Sequence, residues 1–216
     1  MAVNRYAELA FTEHVQAEQA RAGSRAAYAR QMAGQTIHDR LGPDEVEFIQ
    51  AEDHFFIATV GETGYPYVQH RGGRRGLLHV LDARTVAFAD VRGNRQYITV
   101  GNLRTNDRVS ILLLDQAAQA RLKLLGRARV VELSEDPDLI ARLAPTAEGK
   151  VERALVVRVE AFDWNCPQHI VPRYTAEEIE AAVAPLRARL RELEERLEGR
   201  APRPGQGTGQ AGPDPL

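Results

Sequence analysis

The most constraining feature of this sequence is a series of short apolar runs that follow one another at close spacing. The runs are rich in β-branched and aromatic residues, and turn clusters such as residues 61–64 separate them, which is typical of antiparallel strands. They cover residues 53–60, 65–71, 77–81, 85–89, 108–115, 121–134 and 153–162. A parallel sheet would need a helix after nearly every strand, and helical patterns interrupt the series only at residues 94–104 and 136–143. The sequence therefore predicts a mainly β fold, an antiparallel barrel, with flanking helices.

Helical patterns lie on both sides of the strands. Residues 5–34 carry a weak apolar stripe that Gly23-Ser24 is expected to break into two helices, and Pro43 is placed to open a short third helix. After the strands, Thr175 and Glu178 form a Thr-x-x-Glu capping box, which marks the start of a helix. We therefore predict an N-terminal helical extension at 1–42, a barrel domain at 43–173, a C-terminal helix at 174–199 and a disordered Pro- and Gly-rich tail at 200–216.

The predicted C-terminal helix has apolar residues at heptad spacing. They follow one another at alternating steps of four and three residues: Ile179, Val183, Leu186, Leu190, Leu193 and Leu197. This spacing forms a narrow seam, and charged residues surround it. Two interpretations stay open, a zipper between two subunits or a helix that lies on its own barrel.

The composition excludes several classes of protein. Of the 216 residues, 44% are hydrophobic and 27% are charged, which is typical of a globular protein. No apolar run approaches the ~18 residues that span a bilayer, and residues 1–11 lack the pattern of a secretory signal. We therefore expect a cytoplasmic protein that makes no membrane contact.

The cysteine and histidine content gives no basis for a metal site. Cys166 is the only cysteine, so no internal disulfide forms. Cys166 and His169 have half of a zinc-ligand spacing, but no second pair accompanies them, and we predict no metal. His169 beside Cys166 also leaves open a nucleophilic thiol. No catalytic residue is assigned, because proximity along a loop does not establish geometry.

Positive charge is concentrated in one part of the chain. The net charge of −2 and the aromatic content of 6% give no basis for nucleic-acid binding. Residues 69–108 nevertheless contain eight arginines against three aspartates, with no lysine or glutamate. The planar guanidinium group binds phosphate at two points. The segment is therefore either a solvated basic face or an anion site.

Two clusters favour the anion site. His70-Arg71-Gly72-Gly73 follows a predicted strand, and its glycines let a ligand approach the backbone closely. The segment from Asp90 to Gln96 follows another strand and opens a predicted helix, with Asn94 as the N-cap and Arg95 beside it. The free N–H groups of a first helical turn favour a phosphate. We therefore predict that Arg71 and Arg95 converge on one terminal phosphate group.

A third cluster lies after the last predicted strand, at residues 163–173. It combines Trp164, Gln168 and Arg173 with Asn165, Cys166 and His169, and two prolines stiffen it. A rigid loop with many hydrogen-bonding groups suits recognition of a polar ring. The alternative is a structured connection into the C-terminal helix.

These residues together resemble a known family. The segments YPYVQHRGG, TVAFADVRGNRQYITVGNLRTNDRVSILLLD and RLKLLGRARVV are similar to the pyridoxamine 5'-phosphate oxidase-like flavoproteins, which are FMN-binding split β-barrels. The similarity covers about residues 43–173 and is closer to a subgroup of predicted flavin-nucleotide-binding proteins that end in a segment like NCPQHIVPR. It implies an FMN-dependent oxidoreductase that forms a homodimer, with FMN at the subunit interface and a small-molecule substrate or redox donor.

The resemblance also implies which residues bind the cofactor. The FMN phosphate would lie against His70-Arg71, with Gly72, and against Gly93 and Asn94-Arg95-Gln96. Ala89 and Asp90 match backbone that faces the flavin. Arg121 and Lys123 match residues that reach the flavin from this subunit or from its partner, and Trp164, Gln168 and Arg173 match late flavin and substrate contacts.

The sequence departs from the true oxidases at several positions. Gln96 stands where a lysine is usual, and residues 72–76 are inserted after the first phosphate-binding strand. The late Arg-x-His substrate pattern of the vitamin enzymes is absent from the sequence. We therefore do not predict oxidation of pyridoxamine phosphate. The alternative to an oxidoreductase is a non-catalytic protein that binds or carries a flavin or a deazaflavin.

Overall fold

A single antiparallel sheet forms the centre of the fold. The structure, a computed structural model, describes residues 4–32, 38–164 and 167–198. Within these residues there are seven strands: β1 (His54–Val60), β2 (Pro66–Gly72), β3 (His79–Asp82), β4 (Thr85–Val91), β5 (Arg108–Asp115), β6 (Ala120–Glu132) and β7 (Val151–Trp164). Their order in the sheet is β2-β1-β5-β6-β7-β4-β3, and every neighbouring pair is antiparallel. The predicted fold class is confirmed.

The sheet curls until strands from its two ends meet. β2 is the first strand in the order and β4 is the sixth, yet Arg71 on β2 and Asp90 on β4 are 2.7 Å apart. The rings of Phe55 on β1 and Phe88 on β4 also meet, with centroids 5.0 Å apart. Strands that do not pair by backbone hydrogen bonds thus enclose a common core, which is the arrangement of a split β-barrel.

The core follows from the two-residue alternation of the strands. Phe55 and Ile57 on β1 are fully buried, as are Ile111 and Leu113 on β5, because alternate side chains of a strand point to the same face. The pairing register of β6 and β7 shifts between Leu125 and Gly126, where β7 has one extra residue, Glu160. A Cβ at Gly126 would lie only 2.4 Å from the carbonyl oxygen of Arg158, so this crossing requires a glycine.

Three helices precede the barrel domain and one opens it. They are α1 (Arg5–Ala10), α2 (Glu13–Arg21), α3 (Arg25–Met32) and α4 (Pro43–Ala51). The predicted break at Gly23-Ser24 is confirmed. A second break, not predicted, occurs at Thr12, whose hydroxyl accepts a hydrogen bond from the Val15 N–H and caps α2. The predicted start of α4 at Pro43 is also confirmed, and the Glu45 carboxylate accepts the Gly42 N–H at 2.8 Å.

The helix predicted at residues 94–104, with Asn94 as its N-cap, is wrong in its extent and in its cap. Helix α5 covers only Ile98–Asn102, and its N-cap is Tyr97. Arg95 and Tyr97 have φ angles of 63° and 52°. These left-handed conformations cannot be part of a right-handed helix. The Asn94 side chain accepts the Gln96 N–H at 3.2 Å, which closes a local turn instead of capping a helix.

The remaining helices match their predicted starts. Helix α6 covers Pro137–Leu143 and is capped by Asp136, and the 3-10 turn Ala144–Thr146 follows it. The described residues divide into two compact units at the boundary between Pro172 and Arg173, and the second unit contains α7 (Ala176–Glu198). The predicted capping box is confirmed, since Thr175 and Glu178 each accept the other's backbone N–H.

The predicted tail at 200–216 lies outside the described residues. Among the described helices, none has the length and apolar content to cross a membrane.

Candidate functional site

A cavity of about 210 Å³ lies where β2 and β4 face each other. β2 contributes Tyr67, Gln69 and Arg71, and β4 contributes Asp90 and Val91. The rest of the lining comes from the 93–100 segment, which contains most of the connection from β4 to α5 and the first residues of α5. The three β2 residues are two positions apart, so they share the face that points into the cavity. Both clusters of the arginine-rich segment therefore contribute to a single site.

Arg71 is the cation most firmly held in the cavity. Its side chain is only 13% exposed, and its Nη1 donates to Asp90 Oδ1 at 2.7 Å. Its guanidinium carbon lies 5.6 Å from the centre of the Phe88 ring. Its Nε is buried and has no hydrogen-bond partner among the described residues. A buried donor without an acceptor is costly, so Arg71 can stabilise an anion in the cavity.

Asp90 is buried, and arginines neutralise it from two sides. Its second oxygen, Oδ2, accepts a hydrogen bond from Arg153 Nη1 at 3.3 Å. Arg153 stands directly opposite Asp90 in the register of β4 and β7. A carboxylate bound by two guanidinium groups orients both of them and adds little net repulsion toward an anion. Asp90 therefore acts as the positioning group of this site.

Hydrogen bonds from Arg92 and Tyr97 to the barrel hold the 93–100 segment in place. Glu152 on β7 accepts hydrogen bonds from Arg92 Nε at 2.8 Å and from the Tyr97 hydroxyl at 3.1 Å. The bond from Arg92, together with that from Tyr97, lowers the pKa of the Glu152 carboxyl below its usual value. The guanidinium of Arg153 lies 5.1 Å from the centre of the Tyr97 ring. These contacts fix the segment at the rim of the cavity.

The first residues of α5 complete the lining of the cavity. The side chain of Tyr97 makes no capping hydrogen bond to α5, so the first-turn N–H groups of Ile98, Thr99 and Val100 lack that partner. All three residues line the cavity. The Thr99 hydroxyl donates to Gln69 Oε1 at 2.8 Å, which joins α5 to β2. Left-handed residues such as Arg95 and Tyr97 are typical of turns whose N–H groups form an anion-binding concavity.

The structure brings six of the predicted site residues together. Arg71, Asp90, Gly93, Asn94, Arg95 and Gln96 all line the cavity. His70 does not share it, because neighbouring residues of a strand point to opposite faces. The His70 ring instead packs against Phe56 and His54, with centroids 5.4 Å and 5.7 Å away. Gly72 is two positions from His70 on β2, so it lies on the same face of the strand as His70. Ala89 is buried in a different apolar cluster.

The other predicted residues do not line this cavity within the described part of the chain. Trp164 donates to Glu45 Oε1 at 2.6 Å and packs against Phe48, so it faces α4. Lys123 lies 3.6 Å from Asp163. Arg121 is paired with Leu114 across β5 and β6, and Gln168 and Arg173 are exposed. Asn165 and Cys166 lie outside the described residues.

Sequence reasoning missed Arg153, Glu152 and Tyr97. Arg153 and Glu152 stand at the beginning of an apolar strand, where charged residues normally face solvent. Their role depends on β7 being the neighbour of β4, a pairing between segments more than 60 residues apart. The only signal in the sequence is the presence of charged residues at the start of an otherwise apolar run.

A larger cavity, of about 600 Å³, is lined by the 38–45 region, Arg84 and Phe162. Its charges are balanced, because Asp39 and Glu45 stand beside Arg40 and Arg84. Arg84 forms an ion pair with Asp39, and Glu45 accepts hydrogen bonds from the Gly42 N–H and from Trp164. This balance gives no preference for an anion, so the smaller cavity is the candidate phosphate site.

Comparison with known proteins identifies one family. Residues 41–162, more than half of the chain, match the family model described as Pyridoxamine 5'-phosphate oxidase. No curated protein matches the sequence significantly.

Three of the solved structures to which the chain is similar are the following. HupZ of Group A Streptococcus is 16% identical, with 62% of this chain and 99% of that chain covered and a TM-score of 0.49. A Clostridium acetobutylicum protein related to general stress protein 26 (pyridoxinephosphate oxidase family) is 19% identical, with 63% and 94% covered and a TM-score of 0.42. An F420 reductase is 20% identical, with 56% and 98% covered and a TM-score of 0.40.

Proposed function

Because this chain belongs to the pyridoxamine 5'-phosphate oxidase family, we propose that it binds FMN and acts as an FMN-dependent oxidoreductase. The phosphate of the cofactor would lie in the cavity between β2, β4 and the 93–100 segment. One observation carries this proposal: Arg71 and Arg95, from separate stretches of the chain, line the same cavity.

The charges of the cavity fit a phosphate monoester. Arg71 and Arg95 line it, and Asp90, the one carboxylate of the described lining, is also bound by Arg153. Arg153 in turn lies 3.6 Å from both Glu132 and Glu152, so its charge is already balanced. The lining itself therefore keeps an excess of positive charge, which attracts a phosphate monoester with its roughly −1.5 to −2 charges at pH 7. The unpartnered Nε of Arg71 supplies a buried donor.

The size of the cavity favours a site completed by a second subunit. Pockets for whole small molecules occupy ~300–1,000 Å³, whereas this cavity has about 210 Å³. It is large enough for the phosphate end of FMN, and the ring system must extend out of it. Within the described part of the first unit, Arg121, Lys123, Trp164 and Gln168 do not line the cavity of their own chain. We therefore propose a homodimer in which the partner supplies further contacts to the flavin ring.

The division of labour follows from these assignments. The flavin supplies the redox chemistry, and the protein binds, orients and surrounds it. Arg71 and Arg95 hold the phosphate, Asp90 orients Arg71, and Glu152 fixes the segment that contains Arg95. No side chain is assigned as a catalytic acid or base, and the substrate class stays open.

Comparing FMN with riboflavin tests the proposal directly. The purified protein is stripped of ligand and titrated with each compound while flavin fluorescence is recorded. Because riboflavin lacks the phosphate, we expect it to bind at least ~10-fold more weakly, the equivalent of about 1.4 kcal/mol. Equal affinity for both compounds, or no binding of either, contradicts the proposed phosphate site.

A second measurement separates an oxidoreductase from a carrier. FMN bound to the protein is mixed with reduced pyridine nucleotides in a stopped-flow instrument, and flavin absorbance is followed. Photoreduced FMN bound to the protein is then mixed with candidate acceptors. Reduction or reoxidation faster than that of free FMN supports the oxidoreductase. Binding without either reaction would support the carrier instead.

A further inference from the structure

Helix α7 exposes a continuous apolar stripe. Five of its large apolar side chains are 39% to 69% exposed: Ile179, Leu186, Leu190, Leu193 and Leu197. With Val183 they form a seam with alternating steps of four and three residues. The helix is 23 residues long, so the seam spans about three heptads. An apolar stripe of this width suits another helix with the same spacing.

We propose that α7 pairs with α7 of a second copy as a parallel, in-register, two-stranded coiled coil. The spacing assigns Val183, Leu190 and Leu197 to heptad position a, and Ile179, Leu186 and Leu193 to position d. In this arrangement each apolar residue faces the same residue of the second copy. Pro185 then occupies position c, on the side of the helix away from the seam.

The charges that flank the seam select the parallel orientation. In a parallel pair, position g of one helix meets position e of the next heptad in the other helix. Arg189 at g therefore meets Glu194 of the partner subunit, and two-fold symmetry produces this attractive pair twice. Within each helix, Arg187 already bonds Glu180 at 2.6 Å, which leaves Glu194 available to Arg189 of the other copy. Arg189 also pairs with Glu192 of its own helix. An exposed pair of this kind is weak, so it does not prevent the contact between chains.

The same charges oppose an antiparallel pair. With full overlap, Val183 would face Leu193 of the partner subunit, and the flanking contacts would join e with e and g with g. Glu180 would then lie near Glu194 of the partner subunit, and Arg189 near Arg189 of the partner subunit. Each of these contacts joins like charges, which is destabilising. The parallel orientation is the one in which the flanking charges attract.

Cysteine cross-linking tests both the pairing and its orientation. Val183→Cys places two thiols face to face in a parallel pair, whereas an antiparallel pair with full overlap separates them by about 15 Å along the axis, at 1.5 Å per residue. Ala181→Cys is the matched control, because position f points away from the seam. Both changes are made in the full chain with Cys166→Ser, and disulfide formation is followed on non-reducing gels.

We expect Val183→Cys to form a two-chain product on the order of 100-fold faster than Ala181→Cys. Pairing holds the thiols at an effective concentration in the mM range, far above the micromolar concentration of the chains. Equal rates for the two variants, or products of more than two chains, would overturn the proposal. Because no flavin takes part, this result is independent of the proposed FMN site.

A charge exchange provides a second test within the Val183→Cys background. Arg189→Glu alone should slow cross-linking, because the introduced carboxylate then meets Glu194 of the partner subunit. Adding Glu194→Arg should restore the rate, because the attractive pair is re-formed with its signs reversed. If the double change is as slow as the single change, the parallel register is wrong. Far-ultraviolet circular dichroism of each variant verifies that α7 remains helical.

Discussion

Arg71 on β2 donates a hydrogen bond of 2.7 Å to Asp90 on β4, across strands that do not pair in the sheet. This contact closes the curled sheet, and it also holds the guanidinium group of Arg71 at the cavity. Both side chains are largely buried, with Arg71 13% and Asp90 7% exposed. Barrel closure and the candidate anion site therefore depend on the same pair of residues.

Replacing Asp90 by alanine should destabilise the fold. Arg71 and Arg153 would both lose their bond to a buried carboxylate, and breaking a buried ion pair from one side costs about 3–5 kcal/mol. We expect a loss of about 3 kcal/mol in the free energy of unfolding, measured by urea denaturation. Asp107→Ala is the control, because its pair with Arg127 is exposed and should contribute below ~1 kcal/mol. Equal losses in the two variants would contradict the role assigned to Asp90.

Arg95→Ala tests the phosphate site without disturbing the core, because Arg95 is exposed. Losing one charge-assisted hydrogen bond should weaken FMN binding by about 1.5–3 kcal/mol, measured by fluorescence titration. Arg104→Ala is the matched control, since Arg104 belongs to the same arginine-rich segment but does not line the cavity. An affinity for FMN that stays at the wild-type value in Arg95→Ala removes this residue from the site.

Part of this site can be predicted from the sequence. The rest depends on which distant strands pair and on the register of their pairing. Strand alternation and turn residues predict the barrel, and the arginine-rich segment points to Arg71 and Arg95. The predicted cap at Asn94 is wrong because Arg95 and Tyr97 have left-handed backbone conformations. Neither residue is a glycine, so the sequence gives no signal for this conformation. Arg153 could not be predicted from the sequence, because its contact with Asp90 exists only when β7 lies beside β4. Local patterns do not determine which distant strands become neighbours.

Glu52 should make the stability of the protein depend on pH. Burial, with the nearby Asp115 carboxylate, raises the pKa of Glu52 from 4.5 to about 7. Between these values the folded protein binds a proton that the unfolded chain does not, so the free energy of unfolding falls as the pH rises. Above pH 7 the full cost is present, about 3 kcal/mol for this difference in pKa.

Glu52→Gln removes the ionisation and should flatten this pH dependence. The variant is expected to be more stable than the wild-type protein at pH 8 and similar to it at pH 4.5, measured by chemical denaturation across this range. Glu47→Gln, on the exposed side of the helix that ends beside Glu52, serves as the control. A Glu52→Gln variant that keeps the wild-type slope between pH 5 and 7 would show that another group is responsible.

Gly126→Ala should be strongly destabilising. The added methyl group would lie 2.4 Å from the carbonyl oxygen of Arg158, which belongs to the neighbouring strand and cannot rotate away. We expect a loss of at least ~2 kcal/mol, as for other overpacked core positions. In Gly101→Ala the new methyl group meets no atom within 4 Å apart from its chain neighbours and the backbone of its own helix, and this helical position should gain about 0.5–1 kcal/mol. Thermal denaturation of the two variants compares the effects, and opposite signs are expected.

Leu190→Glu tests whether the seam of α7 joins two chains. Position 190 lies in the middle of the seam, so a parallel pair would bury two glutamates against each other among apolar side chains. Each loss of ~1.4 kcal/mol raises the dissociation constant of the dimer 10-fold, and we expect at least that change in sedimentation equilibrium at low protein concentration. Arg191→Glu introduces the same residue one position away from the seam and should leave the dissociation constant nearly unchanged. If both variants sediment like the wild-type protein, the seam does not contribute to association, and its exposed leucines need another explanation.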